Sequence, residues 1–309
     1  MSQISAKDVA ALRAKTGLGM MDCKNALVEA GGDIDAAQRL LREKGLATAA
    51  KKEGRVAAEG LVDILTEGGK TAIIEVNCET DFVAKNESFQ GFVKGLLRTI
   101  LATKPENVEG LLAGAFDGTS ATVESTLVEQ IAVIGEKLSI RRFRILDGAC
   151  ASYLHGGGVA GAVVAFKCDC ACTEKAEFAQ FGRNIAMQIA SGTPPAYISK
   201  ADVPATAIEE EKTVLLAQIQ NDPANASKPA QVIEKMISGR IEKFYTQNCL
   251  LEQSYIKDGD LTVGAYIAAT AKEFGCDISI ADFVLYEKGE GIEKKEEDFA
   301  SEIAKMVGN

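Results

Sequence analysis

Three short helical periods open the chain. Ser5 is placed to cap the first, with Asp8 three residues on in box-like spacing; Val9 and Leu12 share a face, and Gly17 stops the helix. The second carries Met20, Met21, Leu27 and Val28 and ends at Gly31-Gly32. The third starts at Asp33, holds Ile34, Ala37, Leu40 and Leu41 on one apolar stripe, and closes at Gly45. Three helices this short make a marginal core, so the module is expected to lean on a partner or on the rest of the chain. Ala47 to Gly60 is Ala-rich, charged and aperiodic, and reads as a linker.

From Leu61 the period changes. Leu61 to Leu65 and Thr71 to Cys78 are strand-like runs around Glu67-Gly68-Gly69, the pattern of a hairpin. Helices are expected over Glu87–Ala102 and Val123–Lys137, then a strand over Ser139–Leu146. The plan then repeats. Ala72-Ile73-Ile74-Glu75-Val76-Asn77-Cys78-Glu79 aligns with Ala162-Val163-Val164-Ala165-Phe166-Lys167-Cys168-Asp169. With one residue dropped in copy two, Phe89, Phe92, Lys94, Leu96, Ile100 and Pro105 fall on Phe178, Phe181, Arg183, Ile185, Ile189 and Pro194. The body is therefore read as two copies of one antiparallel hairpin-plus-helix unit, and the fold class as α+β. Ala207–Asn221 and Ala230–Gln247 predict a helical hairpin jutting from copy two. Beyond it come a helix over Thr262–Phe274, stopped by Gly275, an edge-like strand over Ile278–Tyr286, a break at Gly289-Glu290-Gly291, and a last short helix facing Phe299, Ile303 and Met306 inward. The expected division is 1–54, a three-helix module; 55–147, core copy one; 148–200 with 248–288, core copy two; 201–247, the helical-hairpin insertion; and 289–309, a C-terminal module.

Between the aligned strand and helix the two copies differ in length and chemistry. After the strand, copy one has Thr80-Asp81-Phe82-Val83 and copy two has the shorter Cys170-Ala171-Cys172. Structural demands act alike on both, so the difference points to function. The bland alternative is that Asp81 caps the next helix and Phe82 tucks into the local core.

Composition narrows the classes. The 309 residues are 47% hydrophobic and 25% charged, ordinary for a globular protein. No apolar run approaches the roughly 20 residues of a spanning helix, and the N-terminus lacks a signal core, so a cytoplasmic protein with no membrane partner is expected. A net charge of −10 argues against direct nucleic-acid binding, which needs clustered cations. Lys51, Lys52 and Arg55, and Arg141, Arg142 and Arg144, are short basic patches read as solvated faces. With a single His, His155, and eight Cys expected to be reduced, no nucleophile–base pair, metal triad or Gly-rich nucleotide motif appears in the sequence; the chain is read as a non-enzyme without cofactor. Cys168, Cys170 and Cys172 admit a soft-metal reading, but a structural site wants four ligands and no fourth is evident; small thiols filling alternate strand positions are the preferred reading, and no metal is assigned. His155, before Gly156-Gly157-Gly158, is a solvated turn residue or a partner contact. Met20 and Met21 are core or an adaptable binding surface.

Three separated segments resemble the translation elongation factor Ts family. They are Thr16-Gly17-Leu18-Gly19-Met20-Met21-Asp22-Cys23-Lys24-Asn25-Ala26-Leu27, Val76-Asn77-Cys78-Glu79-Thr80-Asp81-Phe82-Val83-Ala84-Lys85 and Gly289-Glu290-Gly291-Ile292-Glu293-Lys294. The resemblance implies a ubiquitin-associated-like N-terminal module, two core subdomains and a coiled-coil protrusion. It implies a guanine-nucleotide exchange factor for elongation factor Tu, binding the GDP-bound and nucleotide-free partner. Thr80, Asp81, Phe82 and Val83 would dislocate the partner's Mg²⁺, with Phe82 as the wedge; Arg13, Met20, Met21 and His155 would bind the partner. The Cys168–Cys172 run and the Tyr255 region, where Pro-Phe is expected, depart from the family pattern.

Overall fold

The computed structural model describes residues 4–169, 171–191, 193–222 and 228–293. It is mixed helix and sheet, in two compact units: the described parts of Met1–Leu65, Ala72–Ile145 and Tyr286–Asn309, and those of Thr66–Thr71 and Leu146–Leu285.

In the first unit, α1 (Ala6–Thr16), α2 (Met20–Glu29) and α3 (Ile34–Lys52) gather around Leu12, Cys23, Ala26, Leu27 and Ala37. Ser5 and Asp8 form the expected capping box, and Gly17 takes the left-handed conformation that ends α1. α3 is longer than its pattern suggests. It runs through Gly45 to Lys52, so Ala47–Lys52 is helix and not linker. The run Ala47-Thr48-Ala49-Ala50-Lys51-Lys52 has high helix propensity. Packing adds to it: a Cβ on Gly45 would meet Ala132 and Val128 at 3.6 Å, so α3 lies close against helix Val123–Ile134, and Ala49 reaches the core of the first sheet.

β1 (Glu59–Glu67) and β2 (Lys70–Cys78) flank Gly68-Gly69, both glycines at positive φ. A one-turn α4 (Asp81–Ala84), α5 (Glu87–Thr103), a short α6 (Val108–Ala113), α7 (Val123–Ile134) and β3 (Leu138–Asp147) follow. The sheet order β1-β2-β3 makes β2 the central strand, which accounts for its nearly unbroken burial. Phe89, Phe92, Leu96, Leu97 and Ile100 of α5 pack onto Ala72, Ile74 and Val76.

The second unit repeats the plan. β4 (Ala149–His155) pairs antiparallel with β5 (Ala160–Cys168), His155 opposite Ala160 across the Gly156–Gly158 turn. α8 (Ala176–Ser191) lies on the sheet through Phe178, Phe181, Ile185 and Ile189. α9 (Ala205–Asn221) and α10 (Ala230–Asn248) form the helical pair, with Leu215, Ile219 and Ile241 buried. β6 (Ser254–Tyr255), β7 (Asp258–Thr262), α11 (Val263–Phe274) and β8 (Ile278–Glu287) complete it, in sheet order β4-β5-β8. Tyr255, where the family pattern differs, is buried and stacked on Tyr266 at 4.2 Å between ring centres. The segment carrying Phe299, Ile303 and Met306 lies outside the described residues.

The repeat extends further than the strand-and-helix alignment showed. α7 and α11 each have 12 residues, a Thr N-cap (Thr122, Thr262) accepting from the third residue on, a fully buried first Val (Val123, Val263), and a left-handed Gly (Gly135, Gly275) as stop. The strands that follow, β3 and β8, each have 10 residues and sit beside the middle strand of their sheets. The unit is thus hairpin, helix, capped helix, strand, with α6 in one copy and α9–α10 in the other occupying the same gap.

Candidate partner-binding site

The Thr80–Val83 segment is a single helical turn between β2 and α5. Thr80 is its N-cap, Oγ1 accepting from Val83 N at 3.4 Å, and Asn86 separately caps α5. Asp81 therefore does not cap α5. Val83 and Ala84 pack on the core, which leaves Phe82 pointing outward with 81% of its surface exposed. The bland reading of Phe82 as a tucked core residue is thereby excluded. An exposed Phe on a short, well-anchored turn is available for contact with another surface.

The anchor is Glu136. Its Oε2 accepts from Glu79 N at 3.1 Å and Thr80 N at 3.0 Å, and its Oε1 from Thr80 Oγ1 at 2.6 Å. The next residue completes the clasp: Lys137 N donates to Glu79 Oε1 at 2.6 Å, while Lys137 Nζ donates to the carbonyls of Glu53 and Arg55. Arg55 pairs with Glu79 at 3.2 Å. The sequence pattern ran helix α7 on to Lys137. Gly135, at φ 82°, ends it at Ile134 and turns Glu136 and Lys137 out of the helix toward the loop. Cys78 Sγ donates to Thr80 O at 3.1 Å; burial pushes its thiol up to about 12, so it remains a donor at neutral pH.

Asp81 pairs with Lys85 at 2.6 Å on the exposed face of the turn. The hydrogen bond from Lys85 holds its carboxyl below the usual carboxylate range, so the segment presents a fixed negative charge beside the Phe ring.

Among the other candidates, Met20 and Met21 lie on the outer face of α2 and are 56% and 61% exposed, with Val28 beside them on the same helix. This is a surface and not a core. Arg13 is exposed on α1, in the same unit as the Phe82 turn. His155 belongs to the second unit. It ends β4, exposed, its Nδ1 at 3.5 Å from Tyr153 Oη, with exposed Leu154 and Val159 flanking it.

Two residues of the Arg patch, Arg141 and Arg142, are not a solvated face, while Arg144 is exposed. Glu75 on β2 is fully buried and receives Arg141 at 3.0 Å, Arg142 at 2.6 Å and Gly289 N at 2.8 Å. Arg142 also pairs with Glu290 at 2.8 Å and stacks over Tyr286. Burying a carboxylate is costly unless it is paired and hydrogen-bonded in this way. The Gly289-Glu290-Gly291 break is the other half of that clasp: a Cβ on Gly289 would stand 2.2 Å from Ala58 O.

Comparison with known proteins bears on what this surface meets. The family described as Elongation factor TS matches residues 79–290, from the Phe82 turn to the Glu290 clasp. The chain belongs to this family. An Elongation factor Ts of Clostridium botulinum is 47% identical over 310 positions, covering 99% of each chain. One from Clostridium kluyveri is 46% identical, covering 98% of this chain and 99% of the relative, and one from Syntrophotalea carbinolica is 44% identical, covering 99% of each. Membership in the elongation factor Ts family makes the chain a translation elongation factor of the nucleotide-exchange class, acting in protein biosynthesis. Among the described residues, no helix is long and apolar enough to cross a membrane.

Proposed function

We propose that this chain releases GDP from elongation factor Tu by inserting the Thr80–Val83 turn beside the partner's Mg²⁺ and phosphates, after which GTP takes the vacated site. The observation that carries the reading is Phe82, exposed on a turn that Glu136 clasps through three hydrogen bonds. A rigid wedge delivers its contact without first losing conformational entropy. Arg13 and the Met20–Met21 face of α2, in a module similar to ubiquitin-associated domains, hold the partner's nucleotide domain. His155, with Leu154 and Val159, supplies a contact from the second unit, and α9–α10 is the coiled-coil protrusion. The chain divides at the boundaries given in the sequence analysis, acts in the cytoplasm, and binds neither nucleic acid nor membrane directly.

Linkage bounds the mechanism. If the chain weakens GDP binding by some factor, GDP weakens the chain's binding by the same factor. Shifting a tightly held nucleotide by about 10⁴-fold requires about 5.5 kcal/mol of differential affinity. Burying one Phe yields roughly 2–3 kcal/mol. Phe82 therefore triggers release while the flanking surfaces and the loss of Mg²⁺ coordination supply the remainder. Asp81 contributes a negative charge near the ion, competing for its donors and ligands. No bond in the nucleotide is made or broken, so the reading requires no catalytic residue.

The test is stopped-flow release of a fluorescent GDP from purified elongation factor Tu. Addition of the chain accelerates release, and excess GDP with Mg²⁺ dissociates the complex on a sizing column. Release at the spontaneous rate overturns the proposal.

A further inference from the structure

Cys276 occupies, in copy two, the place that Glu136 holds in copy one: the first residue after the Gly that stops the capped helix. The neighbouring hydrogen bond is reproduced too. Lys137 N donates to Glu79 Oε1 at 2.6 Å, and Asp277 N donates to Asp169 Oδ1 at 3.2 Å. In copy one the carboxylate of Glu136 clasps the loop after the middle strand. In copy two the equivalent side chain is a sulfur, and it faces sulfurs. Cys276 Sγ lies 3.8 Å from Cys168 Sγ and 3.6 Å from Cys172 Sγ, and Cys168 and Cys172 stand 2.8 Å apart.

We propose that Cys168, Cys172 and Cys276 form a thiolate site for one thiophilic d¹⁰ cation, with zinc as its test ion, and that the bound ion clasps the second loop as Glu136 clasps the first. The geometry carries the assignment. With metal–sulfur bonds of about 2.3 Å in a tetrahedron, ligand sulfurs stand about 3.8 Å apart. Two of the three separations match. The third exceeds the roughly 2.05 Å of a disulfide and opens by about 1 Å to admit the ion. The three atoms all lie within 4.8 Å of one another. They come from the end of β5, the turn after it and the turn after α11, so an ion ties together segments about a hundred residues apart in sequence, a closure of the kind that stabilises most by loop entropy. Cys172 is buried and the other two half-buried, packed against the aromatic core of Phe178 and Phe274. Asp169 Oδ1 accepts from Asp277 N. The fourth position is left to solvent or a further donor. Core-filling thiols are the competing reading, and they predict no stoichiometric zinc binding.

Cys276 is disulfide-bonded in this structure. The metal site is therefore the reduced form of the clasp. A dithiol reductant passes two electrons and two protons to that disulfide and is itself oxidised to a disulfide. The cation then displaces one proton from each of the three ligand thiols to solvent. The site stands independently of the exchange reading, since none of its three ligands is among the residues assigned to the partner.

The full chain, reduced with a dithiol and desalted anaerobically, is titrated with Zn²⁺ and separately with Co²⁺. The expected result is about one equivalent of zinc per chain and thiolate-to-cobalt charge-transfer absorption, both absent before reduction. Cys168→Ser, Cys172→Ser and Cys276→Ser each abolish the stoichiometric binding, and Cys150→Ser leaves it intact. Zinc below about a tenth of an equivalent in the reduced wild-type chain overturns the proposal, whether or not a variant folds. So does binding that survives all three ligand substitutions, or cobalt spectra lacking thiolate bands.

Discussion

Phe82 and Glu136 form a functional pair whose members differ in how visible they are. Phe82 stands out because the second copy of the repeat lacks it at the same turn. Glu136 leaves no local mark: it meets Thr80 only because Gly135 breaks α7 one residue earlier, and the apolar period of α7 continues past that break. Phe82→Ala is expected to slow GDP release from the partner several-fold or more, with an unchanged thermal midpoint because the ring touches solvent; Asp81→Ala acts in the same direction more weakly. Stopped-flow rates beside a melting curve check both, and an unaltered rate for Phe82→Ala rules out the wedge. Glu136→Gln removes the charge that three donors share. Amide hydrogen exchange at Glu79 and Thr80 should accelerate by about tenfold or more, and GDP release should slow although Phe82 is intact. Wild-type exchange at those two amides would show that the clasp does not fix the turn.

At the level of elements, helices and strands with their own caps were readable, and those shaped by neighbours were not. α1, α11 and the β1–β2 hairpin follow from Ser5, Thr262 and Gly68-Gly69 acting locally. α3 overran its expected stop because Gly45, a helix breaker by propensity, is where the helix leans on Val128 and Ala132. That contact also answers how three short helices persist: the module rests on α7. The same contact limits how the module can be tested, since cutting α3 away would uncover apolar surface on α7. Surface substitution is cleaner. Met20→Ser with Met21→Ser should raise the dissociation constant for elongation factor Tu by about tenfold or more while changing stability by less than about 0.5 kcal/mol, because both side chains are already exposed. Titration calorimetry gives the first quantity and chemical denaturation the second; equal affinity for variant and wild type would remove α2 from the interface.

Across the whole chain, composition is ordinary and acidic, and the family segments carry the identification. What charge counting misjudged was the Arg run at 141–144. Basic residues near one another read as a solvated patch until Glu75, 66 positions away from Arg141 in sequence, is found fully buried beneath them. Glu75→Gln should therefore lower stability by about 1–3 kcal/mol, seen as a reduced denaturation midpoint at constant slope, since it takes the anion from two guanidiniums and from Gly289 N. A midpoint equal to wild type would mean that the Gly289–Glu290 segment is held by other contacts.

The shared gap between the first helix of each unit and its Thr-capped helix has an evolutionary and practical corollary. In one copy that gap holds six helical residues; in the other it holds a 17-residue and a 19-residue helix, and the capped helix and third strand resume in the same order after both. The position behaves as a port at which whole modules can be exchanged while the host sheet keeps its pairing. A fluorescent domain grafted in place of α6 would thus report on binding from within the chain, with both of its own ends left untouched.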